Sequence, residues 1–488
     1  MKRLVYFIVS TLLLVSCGNK TQTIELNSPD DLAGHSVATI AGCAYEKDLS
    51  SRTDINCQLY NSSSDLLQAL LSGQTEIAMY DEAVYNAIIR KEYGIKIAML
   101  GDQSFPTAFL FRKDDSELVR TFNAVQRRMI EDGTMQKLID FWLTDKFAEA
   151  ESYTHIPAET SGEPLRVATV LSTAPISFMV DGEWYGIEID LIRELAKELH
   201  RPLEIKLYDN ASGFMAVQSG QADILCGIVF VTPERQEKFL FSEPYHSYHT
   251  AYFVLDHDAE SQDHGFIAGI KKGINKTLFV ENRWRLIVDG LLKTLKISIV
   301  AILLGSLLGV GLYSMANSRR KWLRSCAKVY RSFISGIPEL VLLLVMFYVV
   351  FANTGVSPDI VAIITFALFF ASGASHIYKA SLDAIPCGQT EAGLALGFTK
   401  SQSFFKIVLP QAFRIGLPLY KGQCISLLKG TSIVGYIAIQ DITRAGDIIR
   451  SRTFDAIVPL LFVTILYFLL VWLIGALIKL ASPKKNVL

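Results

Sequence analysis

The sequence predicts a two-lobed α/β module followed by an all-α membrane domain of five spanning helices. Three observations carry that prediction. First, the 488 residues are half hydrophobic and 19% charged, with mean hydropathy +0.31. That average is too apolar for a soluble protein and too polar for one that is all membrane. It conceals a charged stretch, about 20–285, and long uncharged apolar runs across 291–480. Second, the charged stretch carries a weak internal duplication. Third, a crowd of basic residues after the first apolar run fixes one orientation for the rest. Lys+Arg 47 against Asp+Glu 48 leaves a net charge of -1, which excludes a nucleic-acid binder. Disorder is excluded by the hydrophobicity.

The first element is a secretory signal, 1–17. Lys2 and Arg3 precede an apolar core from Leu4 to Leu14, too short to cross a bilayer of ~30 Å. The ending Leu14-Val15-Ser16-Cys17 resembles a bacterial lipobox, which implies that Cys17 is acylated and becomes the new N-terminus. An ordinary cleaved signal is the alternative. Either one exports the charged stretch.

The duplication comes next. Val37-Ala38-Thr39-Ile40 matches Val167-Ala168-Thr169-Val170, Leu59-Tyr60-Asn61 matches Leu207-Tyr208-Asp209, and Ser72-Gly73-Gln74 matches Ser219-Gly220-Gln221. Each copy reads strand, helix, strand, helix, strand, so the module is a pair of parallel α/β lobes. Two such lobes on a hinge set strand ends and helix N-termini against one cleft, where small molecules and anions bind. In the second copy Thr232-Pro233-Glu234-Arg235 places a capping Thr before a first-turn Pro, and Arg235 presents a fork suited to a carboxylate.

That run, with Phe241-Ser242-Glu243-Pro244-Tyr245, resembles the periplasmic amino-acid-binding proteins, which have a type II two-lobed clamp. The resemblance implies that Arg235 and Thr232 take a ligand's α-carboxylate and Asp81 its α-amino group. It puts Gly42, Cys43 and Ala44 at a ligand-facing helix start, with Thr173, Ile176 and Phe178 on the other lobe. Cys43 and Ala44 replace a usual Thr or Ser pair, and Thr173 and Ile176 replace aromatic rings. The segment like the family's second lobe, 24–146, precedes the one like its first, 164–256, so a single circularly permuted clamp is expected. Cys43 and Cys57 are either one disulfide or two free thiols. No cysteine or histidine has metal-ligand spacing, and no cofactor is expected.

A linker, 257–284, leads to the membrane domain, 285–481. Four stretches free of Asp, Glu, Lys and Arg can span: 297–317, 340–358, 360–378 and 456–478. A fifth, about 412–440, carries Arg414, Lys421 and Lys429 and should be internal. Arg319, Arg320, Lys321, Arg324, Lys328 and Arg331 mark a cytoplasmic loop, so 18–285 lie outside and the C-terminus inside.

Between the third span and the fifth, 391–398 reads as a short helix ending at Gly397, then an amphipathic helix stopped at Pro410. With Glu391 and Ala392 this resembles the coupling loop of ABC importer permeases, whose helix docks on a separate ATPase. GIPELVLLLVMFY (336–348) and LLKGTSIVGYIAIQD (427–441) resemble the polar amino-acid group of those permeases. No phosphate-binding Gly-x-x-x-x-Gly-Lys-Ser/Thr loop occurs, so ATP hydrolysis needs that partner. Five spans imply half a pathway and a homodimer. The expectation is therefore an importer subunit for a polar amino acid, in the inner membrane. A ligand-gated channel or sensor lacks its filter motif, and an exported enzyme on the clamp lacks paired carboxylates.

Overall fold

The computed structural model describes residues 24–82, 94–143, 162–170, 174–180, 182–256, 266–352, 354–453, 455 and 457–481. The signal with Cys17, and Thr173, lie outside the described residues.

The first copy folds as β1 (Ser36–Ile40), α1 (Glu46–Ser51), β2 (Asn56–Tyr60), α2 (Ser63–Leu71) and β3 (Ile77–Asp81), with β1 parallel to β2 and β3. Then come β4 (Ile95–Thr107), β5 (Leu110–Arg112), α3 (Ser116–Glu131) and α4 (Thr134–Trp142). The second copy is β6 (Leu165–Thr169), a hairpin of β7 (Phe178–Val180) and β8 (Glu183–Tyr185), α5 (Ile187–Glu198), β9 (Leu203–Leu207), α6 (Asn210–Gln218) and β10 (Ile224–Cys226). Here β6 is parallel to β9 and β10, the same order as the first copy. The repeated residues have one local cause. Ser62 and Asp209 cap α2 and α6 by accepting from Asp65 N and Ser212 N, at 3.2 and 2.9 Å. Gly73 and Gly220 end them at φ +72° and +74°, where a Cβ is strained.

The lobes are not contiguous in sequence. One sheet has the order β2-β1-β3-β12-β4, where β12 is His246–Leu255. The other has β11-β5-β10-β6-β9, where β11 is Phe239–Phe241. Relative to the split expected at 24–146 and 164–256, β5 has moved to the second lobe and β12 to the first. The reason is that β4 runs into β5, and β11 into β12, with almost no loop. The two crossings lie side by side: Ser242 N donates to Phe109 O at 2.9 Å and Tyr245 N to Thr107 O at 3.1 Å. They form the hinge. Helices α3 and α4 sit on the second lobe, where Trp142 Nε1 donates to the buried Asp190 at 2.8 Å.

The expected linker is partly a helix, α8 (Phe266–Leu278), because Ile267, Ile270 and Ile274 recur at helical spacing. (The short α7, Pro233–Lys238, precedes it and carries part of the site below.) Three helices are long and apolar enough to span: α9 (Trp284–Ala316), α12 (Pro358–Asp383) and α17 (Ile457–Ala481). Two bent pairs bring the number among the described residues up to five where each pair counts as one span. Helix α10 (Lys321–Gly336) turns by 105° into Glu339–Val350, which opens with α11 (Glu339–Val345). Lys400–Ile437 turns by 49° into α16 (Ile442–Thr453).

Two expectations are corrected here. The second span ends at Val350 rather than 358, since Gly355 is left-handed and Pro358 begins a new helix. Pro410 does not stop its helix either. After α13 (Cys387–Ala395) and α14 (Lys400–Ser403), the wide turn Phe404–Val408 leads into α15 (Leu409–Gly430), with Pro410 in its first turn, where no N–H donor is needed. Small residues seat α9 on α12. A Cβ on Gly305 would lie 2.7 Å from Phe370 Cβ, and one on Gly309 2.9 Å from Ala374 Cβ.

Candidate functional site

Asp81 ends β3 as a buried carboxylate facing the hinge cleft. Tyr45 donates its hydroxyl to Asp81 Oδ1 at 3.3 Å, and burial pushes the carboxyl up to about 7. From the opposite lobe, Arg235 rises from the first turn of α7. The Thr232 hydroxyl caps that helix by accepting from Arg235 N at 3.4 Å. The guanidinium donates to Phe230 O at 2.9 Å within its own lobe and to Gly42 O at 2.8 Å across the cleft. It lies 4.7 Å over the Phe214 ring. Burial lowers its pKa from the usual arginine value, while the charges on Cys43 and Asp81 act the other way.

Gly42 is the point where the lobes meet. Its φ of +78° suits glycine, and a Cβ there would sit 3.0 Å from Asn210 Nδ2. Asn210 donates across the cleft to Ala41 O at 3.1 Å, and the Glu46 carboxylate accepts from Gly42 N. The Cys43 thiol lies 3.6 Å from Thr39 Oγ1, and burial pushes it up to about 11. Cys43 and Cys57 are both free. Tyr45, Phe105 and Phe230 close the hinge side of the cleft, with Phe105 and Phe230 stacked at 5.0 Å.

Of the residues singled out from sequence, Arg235, Thr232, Gly42, Cys43 and Asp81 gather at this cleft. Phe178 packs on Trp142 at 5.8 Å and Tyr185 at 5.9 Å, inside the second lobe. Tyr45, Asn210, Phe214, Phe105 and Phe230 went unrecognised. Asn210 was within reach, since it follows the duplicated Leu-Tyr-Asp and opens α6 towards the other lobe. Among the described residues, no cluster of three or more His, Cys, Asp or Glu could hold a metal ion.

Both lobes rest on the membrane domain. Gln221 Nε2 donates to Phe351 O at 3.2 Å and Ala352 O at 2.9 Å, just beyond the end of the second span at Val350. Tyr348 donates to Ser212 O at 3.3 Å. The first lobe is held separately, by Arg450 of α16 pairing with Asp65 at 2.9 Å. At the far end of α12, Glu391 and Ala392 lie exposed on α13, and Gly397 turns the chain at φ +87°. Thr399 and Gln402 then form a reciprocal cap on α14. Gly393 lets the pair close: its Cβ would be 2.5 Å from Ser403 Oγ.

The family model "Bacterial extracellular solute-binding proteins, family 3" matches residues 165–390. "Binding-protein-dependent transport system inner membrane component" matches 301–487. The L-cystine transport system permease protein TcyB of Bacillus subtilis is 34% identical over 181 residues, 37% of this chain and 77% of that protein. The glutamate/aspartate import permease protein GltK of Escherichia coli O157:H7 is 36% identical over 194 residues, 38% of this chain and 86% of that protein. A crystal structure of an amino acid ABC transporter with histidines is 27% identical, with TM-score 0.38, covering 45% of this chain and 97% of that one.

Proposed function

This chain belongs to the binding-protein-dependent permeases of ABC importers, and from that premise we propose that it is receptor and permease in one. Its clamp captures a polar amino acid outside the membrane, and its spans form half of the translocation pathway. The observation that carries this reading is Arg235 and Asp81 facing one cleft from opposite lobes, in a chain whose other half is a permease. The two relatives are named for cystine and for glutamate and aspartate, and all three share an α-carboxylate and an α-amino group.

In this mechanism the ligand carboxylate replaces Gly42 O as acceptor for Arg235, a charge-assisted exchange that favours the ligand. Pairing with the ligand ammonium favours the ionised carboxylate, so Asp81 releases its proton to solvent as the ligand binds, while Tyr45 keeps its hydrogen bond. Thr232 fixes the turn carrying Arg235, and the Gly42-Cys43 backbone forms the opposing wall. Thr173 would face the ligand side chain, and Phe178 holds the hairpin from behind. Because the clamp is tethered, released ligand meets the pathway at high effective concentration.

The loop 391–410 would dock a separate ATPase through Glu391 and Ala392, with Gly397 setting its turn and Pro410 lying in the first turn of α15 beyond it. ATPase closure would then move α12 and α15 together. A homodimer supplies the second half of the pathway. Residues 18–285 lie outside, Cys17 anchors the mature N-terminus by lipidation, and the C-terminus is cytoplasmic. The basic residues 319–331 support this orientation.

Calorimetry on the full-length chain in lipid nanodiscs, against each of the twenty amino acids, tests the receptor role. A ligand should bind to the wild type and be lost in Arg235→Ala and in Asp81→Ala. Binding that survives both substitutions, or a folded chain that binds none of the twenty, refutes it.

A further inference from the structure

Helix α10 carries three distinct stripes, which the transport reading does not use. Leu323, Ala327, Tyr330 and Ile334 form the packed one. Ala327 and Ile334 are buried, and Tyr330 donates to Leu368 O of α12 at 2.9 Å. A second stripe is apolar and uncovered: Trp322 is 60% exposed, Val329 65% and Phe333 59%, with exposed Cys326 between them. The third is basic, with Lys321, Arg324, Lys328 and Arg331, extended at its start by Arg319 and Arg320. Each stripe recurs every three or four residues, as one face of a helix requires. No acidic residue occurs anywhere between Asp289 and Glu339. The 105° bend sets α10 nearly perpendicular to Glu339–Val350, so α10 runs along the bilayer surface when that segment stands along the bilayer normal.

We propose that α10 is an interfacial helix whose basic stripe binds the phosphate headgroups of anionic phospholipids while its uncovered apolar stripe enters the acyl layer. Charge complementarity selects this occupant. A basic stripe beside an apolar one matches an anionic headgroup beside its chains, and an isolated apolar partner would leave the cations unmatched. A second copy of the same face would set cations against cations. Tyr330, through Leu368 O, and Ser335, at 3.5 Å from Ser372 Oγ, fasten the helix to α12, so lipid bound here bears on a spanning helix rather than on a loose loop.

The test uses the full-length chain in nanodiscs with brominated phosphatidylglycerol or brominated phosphatidylcholine. The emission difference between wild type and Trp322→Phe isolates Trp322 from the other tryptophans. Brominated phosphatidylglycerol should quench Trp322 more strongly than the neutral lipid. In K321Q/R324Q/K328Q that preference should fall by roughly a hundredfold, at about fivefold for each of the three basic residues near the surface. Should the triple variant not assemble, R324Q alone should lose about fivefold. A Trp322 quenched by neither lipid would mean that protein, a second copy or a partner, covers the stripe, and would overturn the proposal. Equal quenching by both lipids in the wild type would overturn headgroup selection.

Discussion

Replacing Arg235 with Ala removes a bond that spans the cleft and one that does not. The contact to Phe230 O lies within one lobe and exists whether the clamp is open or closed. The 2.8 Å bond to Gly42 O joins the lobes and exists only when it is closed. A hydrogen bond from a charged donor contributes about 1.5–3 kcal/mol, and the partial exposure of this one keeps it near the lower end. Taking about 1.5 kcal/mol, the ratio of closed to open clamp should fall by roughly tenfold in Arg235→Ala without ligand. Single-molecule energy transfer between labels on α1 and α7 of the full-length chain reads that ratio directly. Arg235→Lys should recover only part of it, since a single ammonium cannot reach both carbonyls in the same fork geometry. A distribution unchanged in Arg235→Ala would refute the idea that this residue latches the lobes, and would transfer that role to Asn210 and Ala41.

Three further outcomes are expected. Burial holds Asp81 near 7 when folded against 3.8 otherwise, so the fold retains a proton that the unfolded chain releases. Its contribution to stability therefore rises as pH falls from 7 towards 4 and is lost above 7. Asp81→Asn should flatten that part of the slope in thermal unfolding, and an unchanged slope would place the proton elsewhere. Glu188 is a buried carboxylate accepting from Gly227 N, Ile228 N and the Tyr245 hydroxyl at 2.6, 3.0 and 2.7 Å. Glu188→Ala strands three donors beside the hinge and should cost about 3 kcal/mol or more, read by denaturant unfolding. Arg450→Glu would set like charges against Asp65, and hydrogen exchange over α2 should quicken roughly fivefold if that pair seats the first lobe.

The parts of the fold legible in the sequence are those fixed by local chemistry. Ser-Gly at 72–73 and 219–220 reported the same left-handed helix end twice, and the apolar runs reported spans because a bilayer leaves no other option. Lobe membership was not legible, because β5 and β12 are placed by which sheet has an open edge, and that is a long-range property. Pro410 misled for a related reason: a wide turn before it satisfies the backbone, and no residue announces that turn. At the cleft, Arg235 and Thr232 stood out because charge and capping have sequence signatures, whereas Asp81 came only through the resemblance to a family. Tyr45, Phe105 and Phe230 did not, since an aromatic cluster reads like core until three distant segments meet.

The order β2-β1-β3-β12-β4 also bears on how the protein is made. Among the described strands, β4 has β12 as its one neighbour in the sheet, and one edge of β3 waits for the same strand. Both therefore stay unpaired until residues 246–255 leave the ribosome, well over a hundred residues after β4. At ordinary rates of synthesis that is an interval of roughly 10–30 seconds. During that time the clamp presents open strand edges, the kind of surface that invites pairing with the wrong chain. The strand that closes the sheet lies just ahead of the membrane domain, so completing the clamp and inserting the first span become nearly simultaneous events. A chain truncated before residue 246 would keep those edges open for good even though most of its clamp is present.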